Sequence, residues 1–275
     1  MGARQALASH WPEYLIEAWA LGTFMLSAAV CTTFLESPNS ALNAALADPD
    51  LRRVLIGIGM GLTAVLLIYS PWGQRSGAHM NPAVTFTFWR LGKVAGWDAV
   101  FYVLAQFAGG TAGVLLAAAL LGGAFTAAPV RYVVTVPGAA GTAVAFGAEL
   151  LIAAGMMGVI LLLSNHPRLA RLTGVFAGLL VALYISVEAP LSGMSINPAR
   201  SFASALPAGE WQAFWIYLLA PLAGMALAAE LHAAWLRRAV HCAKLLHPAD
   251  QRCIHCGYTP SSATATNDSY QGEYP

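Results

Sequence analysis

Ser76-Gly77-Ala78-His79-Met80-Asn81-Pro82-Ala83-Val84-Thr85 and Ser192-Gly193-Met194-Ser195-Ile196-Asn197-Pro198-Ala199-Arg200-Ser201 are two copies of one pattern in a 275-residue chain. In each, a loop of small residues runs into Asn-Pro-Ala, and an apolar stretch follows (81–91 and 197–206) that is too short to cross a bilayer. Asn is a strong N-cap, and Pro suits the first helical position because its missing N–H is not needed there. Each copy therefore predicts a short helix capped by Asn81 or Asn197. A lone copy is usually a helix cap and nothing more. Two copies in matched Ser-Gly contexts, at matched places in the chain, have no such plain explanation.

The surrounding sequence supplies the setting. Hydrophobic residues make up 58% of the chain and charged residues 10%, against roughly a quarter charged in a soluble domain. A membrane span needs about 20 mostly apolar residues. Six runs meet that requirement: 14–35, 54–71, 97–121, 142–164, 172–189 and 211–236. The start of the chain lacks the basic, apolar, small-residue succession of a cleaved signal peptide, so the first run is read as a retained span. With the N-terminus inside, Arg4, Arg75, Arg90, Lys93, Arg168, Arg171, Arg237, Arg238, Lys244 and Arg252 fall on the inner side, and only Arg52, Arg53 and Arg131 outside. The positive-inside rule and the even span number agree on two cytoplasmic termini, and the cell (inner) membrane is the expected location. A net charge of +1 gives no electrostatic case for nucleic acid.

Glu17 in the first run and Glu149 in the fourth extend the repeat. Each half reads span, span, short segment, span. Three spans per half invert the second half relative to the first, and sites in such repeats lie near the midplane at the repeat interface. The expected fold is an all-α membrane bundle of six transmembrane helices plus two re-entrant half-helices. Its parts are an N-terminal segment 1–12, a channel domain 13–236 with repeats 13–121 and 142–236, and a cytoplasmic tail 237–275.

Two half-helices starting in mid-membrane would meet head to head, each pointing unsatisfied N–H groups and partial positive charge at the centre. Asn81 and Asn197 then offer amides to a passing molecule, and Ala83 and Ala199 leave room for the helix starts to touch. Pro82 and Pro198 fix the first turns. The loop carbonyls form a ladder of acceptors, tolerable at that depth only beside protein or water. Glu17 and Glu149 are expected behind the loops, accepting from their backbone N–H groups, in preference to forming a proton path. His79, two residues before the first cap, is expected to line the pore. Gly22, Gly109, Gly110, Gly113, Gly178 and Gly224 are read as close helix crossings.

These residues resemble the aquaporin/glycerol-facilitator family over about 13–236. Glu17-Ala-Trp-Ala-Leu-Gly-Thr-Phe24 is similar to the family's first-span motif. Tyr102-Val-Leu-Ala-Gln106 with its following glycines is similar to the third span, and Phe214-Trp215 with Pro221 to the sixth. The resemblance implies a passive channel for water and small neutral solutes that excludes ions and protons, with no enzyme activity and no cofactor for conduction. It also implies a homotetramer. Arg200 then belongs to the outer constriction, together with Ile185, Met194 and Met60 or Gly61. The second-span position is left between two residues because 70–76 is about one residue longer than usual. Water-selective members carry His at the fifth-span position, where this chain has Ile185. Ser201, Ala205 and Phe214-Trp215 nevertheless resemble the water channels. The competing readings are an inverted-repeat secondary transporter, disfavoured by neutral Asn and Ala at the midplane, and an occluded scaffold closed by Met60 and Met194.

The tail lies beyond the resemblance. Cys253 and Cys256 form C-x-x-C followed by Gly257, a knuckle shape suited to zinc. Cys242 with His241, His247 or His255 completes four ligands, and Cys242, His247, Cys253 and Cys256 are the set carried forward. The expectation is a small zinc-stabilised cap under the pore mouth; the plain alternative is a tail of idle or lipidated cysteines. Segment 261–275, rich in Ser, Thr and Asn, is expected to be disordered.

Overall fold

The structure, a computed structural model, describes residues 1–236 and 240–260. Arg237, Arg238 and the segment 261–275 lie outside the described residues. The described chain is helical, with six helices long and apolar enough to cross a membrane. The long helices are α1 (Ala3–Glu36), α2 (Pro49–Tyr69), α4 (Gly96–Leu121), α5 (Thr142–Ser164), α6 (Thr173–Val187) and α8 (Trp215–Leu231). Two short helices, α3 (Pro82–Arg90) and α7 (Pro198–Ala208), are the segments that follow the Asn-Pro-Ala copies.

Local chemistry sets the helix starts. Asp48 opens α2, its carboxylate accepting from the Asp50 N–H at 2.8 Å, with Pro49 in the first turn. Asn81 caps α3 and Asn197 caps α7. α1 begins at Ala3, well before the apolar run, and continues through Pro12. Those added turns are held by α4: the Tyr14 hydroxyl donates to Asp98 at 2.6 Å, and His10 Nδ1 lies 2.9 Å from the same oxygen.

Packing obeys the inverted repeat. α1 packs most extensively on α4 in the first half, as α5 does on α8 in the second. The contact between α2 and α6 joins the halves. The half-helices are exchanged: α3 packs on α8 and α7 on α4. Glycine makes these crossings possible by letting backbones touch. A Cβ on Gly109 would sit 2.0 Å from the Ala18 carbonyl oxygen, and one on Gly224 2.2 Å from that of Leu150. At the α2–α6 crossing, a Cβ on Gly61 would lie 2.5 Å from the Gly178 carbonyl. The outer surface is apolar: Leu66, Leu104, Leu151, Leu179 and Leu219 are exposed, as expected where lipid is the solvent.

Candidate pore and tail cluster

A cavity of about 340 Å³ runs along the junction of the two halves, lined by residues from Thr32 and Arg53 at one end to Ile68 and Leu245 at the other. Both capping asparagines line it, as do His79, Met60, Ile185, Met194 and Arg200. The sequence-predicted filter residues therefore share one wall system. Gly61 is pressed against α6, so of the two second-span candidates it is Met60 that presents a side chain to the cavity.

The loops before α3 and α7 share one unusual backbone. Gly77, Ala78 and Met80 have φ of 105°, 54° and 49°; Gly193, Met194 and Ile196 have 86°, 50° and 49°. Left-handed non-glycine residues cost roughly 1–3 kcal/mol each and persist only where the surroundings dictate them. Here a buried carboxylate does so in each half. Glu17 accepts from Ser76 Oγ at 2.8 Å, from the N–H groups of His79 and Met80 at 3.0 and 2.6 Å, and from Gln106 Nε2 at 2.8 Å. Glu149 accepts from Ser192 Oγ at 2.7 Å and from the N–H groups of Ser195 and Ile196 at 2.6 and 2.7 Å. Tyr102 and Tyr217 complete the pairing, their hydroxyls donating to the carbonyls of Ser76 and Ser192 at 2.7 and 2.5 Å.

The asparagines do more than cap. Asn81 Oδ1 accepts from the Ala83 N–H at 2.8 Å, and Asn197 Oδ1 from those of Ala199 and Arg200 at 3.1 and 3.2 Å. Each amide nitrogen then crosses to the other half: Asn81 Nδ2 donates to the Ile196 carbonyl and Asn197 Nδ2 to that of Met80, both at 2.7 Å. An amide carries two N–H bonds. One therefore ties the loops together, and the second remains for the cavity. The sequence indicated amides offered to a passing molecule, and the cross-tie engages one N–H of each. Ala83 and Ala199 are fully buried where the two helix starts meet.

Arg200 has its Nη1 buried with no hydrogen-bond partner among the described residues. A buried, unpaired guanidinium N–H beside a cavity is a donor awaiting an acceptor. Ser201 takes no part in the lining: it is buried and bonded to Thr135 and Ser195, 2.6 Å from each hydroxyl. Sequence reasoning missed Gln106 as a loop support, and missed Arg53, which lines the cavity and donates to the Ser186 carbonyl at 2.9 Å. Arg53 stands one helical turn before an apolar stripe of α2, and its charge at a span end was the available signal.

At the other end the tail folds against the first loop. The ring nitrogen His79 Nε2 lies 2.8 Å from the Ala243 carbonyl, and the Leu245 N–H donates to the Gly77 carbonyl at 3.2 Å. His255 stacks on His79 at a centroid distance of 5.7 Å, with its Nε2 3.1 Å from the Ser76 carbonyl. Of the tail histidines it is thus His247 that joins the cysteines. Donor atoms of Cys242, His247, Cys253 and Cys256 all lie within 4.8 Å of one another. Cys242 and Cys253 sulfurs are 3.5 Å apart, and His247 Nε2 is 3.2 Å from the Cys256 sulfur. A tetrahedral zinc with bonds of about 2.0–2.3 Å separates its ligand atoms by roughly 3.3–3.8 Å. The donor set suits that ion, and the two printed separations lie close to that range within a cluster no wider than 4.8 Å. The Cys242 thiol hydrogen-bonds to Cys253, which drives the Cys253 pKa far below the ordinary thiol value and that of Cys242 above it; a thiolate is the form a metal takes.

Comparison with known proteins agrees with this architecture. Residues 7–232 match the family described as Major intrinsic protein. The chain is similar to "Probable aquaporin NIP7-1" of Arabidopsis thaliana, 30% identical over 219 residues, covering 78% of this chain and 73% of that one. "Putative aquaporin NIP4-1" of the same plant is 36% identical over 171 residues, covering 62% and 58%. The stretch matched is thus roughly three-fifths to three-quarters of these relatives' length. The fold is shared with the X-ray structure of the aquaglyceroporin from Plasmodium falciparum, at a TM-score of 0.71 and 19% identity over 83% of this chain and 97% of that one. With the matched family region spanning both loops and all six long helices, the chain belongs to the major intrinsic protein family of membrane channels.

Proposed function

We propose that water and small neutral solutes pass through the cavity between the two halves, down their gradient and without chemistry. The observation that carries this reading is the pair of Asn-capped half-helices whose amides cross-tie two strained loops within one continuous cavity. Two helix N-termini aimed at the same point repel cations, and spaced donors and acceptors replace a neutral solute's hydration. Asn81, Asn197 and the loop carbonyls serve as the midway site. Arg200, Met194, Ile185 and Met60 serve as the filter. Glu17 and Glu149 act as loop supports. Both termini lie in the cytoplasm of a cell whose inner membrane holds the protein, as a homotetramer with one pore per protomer. The tail ligands Cys242, His247, Cys253 and Cys256 hold a structural zinc. Conduction itself uses no cofactor.

Stopped-flow shrinkage and swelling of proteoliposomes, with water, glycerol, urea and ammonia and with zinc present or stripped, tests the proposal. Permeability above that of empty vesicles, without ion or proton current, is the expected result. Vesicles no leakier than empty ones in both zinc states would end the channel reading.

A further inference from the structure

We infer that segment 242–256 is a metal-locked stopper: a zinc-class divalent cation on Cys242, His247, Cys253 and Cys256 holds the cytoplasmic mouth of the pore shut, and losing the ion opens it. The inference rests on the proposed conducting path and on the proposed tail site, and adds to them the regulation of one by the other.

The tail sits in the path rather than beside it. The Leu245 side chain forms part of the cavity wall, and its N–H takes the Gly77 carbonyl. Gly77 immediately precedes Ala78, His79 and Met80, the residues of the first loop that line the cavity. The Ala243 carbonyl likewise occupies the His79 ring nitrogen. Ala243, Lys244 and Leu245 are all buried, so the mouth is filled and not merely fringed. At the opposite end, the second loop has Ser195 where the first has His79, and the Arg200 Nη1 there remains unpaired among the described residues.

The four candidate ligands bracket the two contacts that do the blocking. Cys242 immediately precedes Ala243-Lys244-Leu245, and Cys253 and Cys256 flank His255, which stacks on His79. One ion would therefore fix both contacts at once. Without it, docking must bury Lys244, whose Nζ has no hydrogen-bond partner among the described residues. Burying an unpaired ammonium is unfavourable. Three thiolates and a neutral imidazole on a divalent cation carry a net charge of −1, and that charge favours the buried lysine two positions from Cys242. The ion thus supplies both the clamp and the counter-charge. A ligand that binds one state alone shifts the population toward it.

The test uses full-length protein purified without a polyhistidine tag, with metal content measured by mass spectrometry and permeability by stopped flow. Zinc-loaded vesicles are compared with vesicles treated with a membrane-permeant chelator, and with the Leu245→Gly and Cys253→Ser/Cys256→Ser variants. The expected results are about one zinc per chain, and a rise in water permeability of about fivefold or more on stripping, reversed by added zinc. Leu245→Gly should keep its zinc and yet conduct when loaded. A chain that holds its zinc while loaded and stripped vesicles conduct equally overturns the stopper and leaves the zinc site standing. A chain that binds no zinc overturns both. If no form conducts, Leu245→Gly included, the channel reading itself fails and the inference goes with it.

Discussion

The two Asn-Pro-Ala loops have the same backbone but not the same surroundings. Both are strained at the same three positions, propped by a buried glutamate and pinned by a tyrosine hydroxyl. Three of their differences change what surrounds them. The first has His79 where the second has Ser195, Val84 where the second has Arg200, and a supporting amide, Gln106, where the second half places Pro221. Proline has no side-chain amide to offer, and the second loop is braced instead by Thr135 through Ser201. Duplication thus kept what the backbone requires. The copies differ in how the loop is braced and in what faces each mouth: a charge at one end and a ring that receives the tail at the other.

The largest effects should come from removing the props. Glu17→Ala strands four hydrogen-bond donors and Glu149→Ala three. Each buried donor left unpaired costs about 1–3 kcal/mol, so both variants should lose several kcal/mol, Glu17→Ala the more. The thermal midpoint in detergent, measured alongside permeability, checks this. Equal destabilisation would show that the Gln106 amide adds nothing to the first loop.

Next in size is Arg200→Val, which copies Val84 into the second loop. It removes the guanidinium that lines the cavity, and glycerol and urea permeability should rise on the order of tenfold relative to water, the equivalent of about 1.4 kcal/mol. Proton flux, followed with an entrapped pH dye, should become detectable. An unchanged solute ratio would mean that Arg200 braces the loop without facing the solute.

Much of this asymmetry was written in the sequence, because it depends on local chemistry. Asn caps, Pro at the first helical position and apolar run lengths act within a few residues, so both half-helices and all six long helices were legible. The clustering of Cys242, His247, Cys253 and Cys256 was legible for the same reason, since they fall within fifteen residues of one another. What was not legible joins distant residues without a periodic signal. The Asn81–Ile196 and Asn197–Met80 cross-ties span more than a hundred residues. The docking of Ala243 on His79 spans 164. The choice of Met60 over Gly61 depended on which side of α2 faces α6, and a one-residue uncertainty in a loop removes that knowledge. The extent of α1 was likewise hidden, because its first turns are held by Asp98 of α4 and not by their own apolarity.

A smaller change should follow from Ile185→His, which adds a polar group to the wall that Arg200 shares. Narrowing and polarising the filter should lower glycerol permeability by a few-fold, roughly 1 kcal/mol, with less effect on water. If all solutes fall together, Ile185 does not set selectivity.

The smallest effect sharpens the comparison most, because it contrasts one hydroxyl with its twin. Tyr102→Phe and Tyr217→Phe each delete a single bond to a serine carbonyl. The consequences differ because the Ser76 carbonyl has a second neighbour, His255 Nε2 at 3.1 Å, which also lies 3.3 Å from the Tyr102 hydroxyl. Loss of the Tyr102 hydroxyl leaves the carbonyl a donor from the tail, whereas loss of the Tyr217 hydroxyl removes from the Ser192 carbonyl the side-chain donor it has among the described residues. Losing one hydrogen bond while the acceptor keeps another costs about 0.5–1.5 kcal/mol, and a buried acceptor left bare costs about 1–3 kcal/mol. Tyr217→Phe should therefore lower the thermal midpoint by more than Tyr102→Phe. Replacing His255 by Ala should erase the gap, since Ser76 then loses its spare donor and both loops stand on equal terms. A gap that survives the His255→Ala background would mean that the tail does not support the first loop, and that the difference between the two mouths lies elsewhere in their walls.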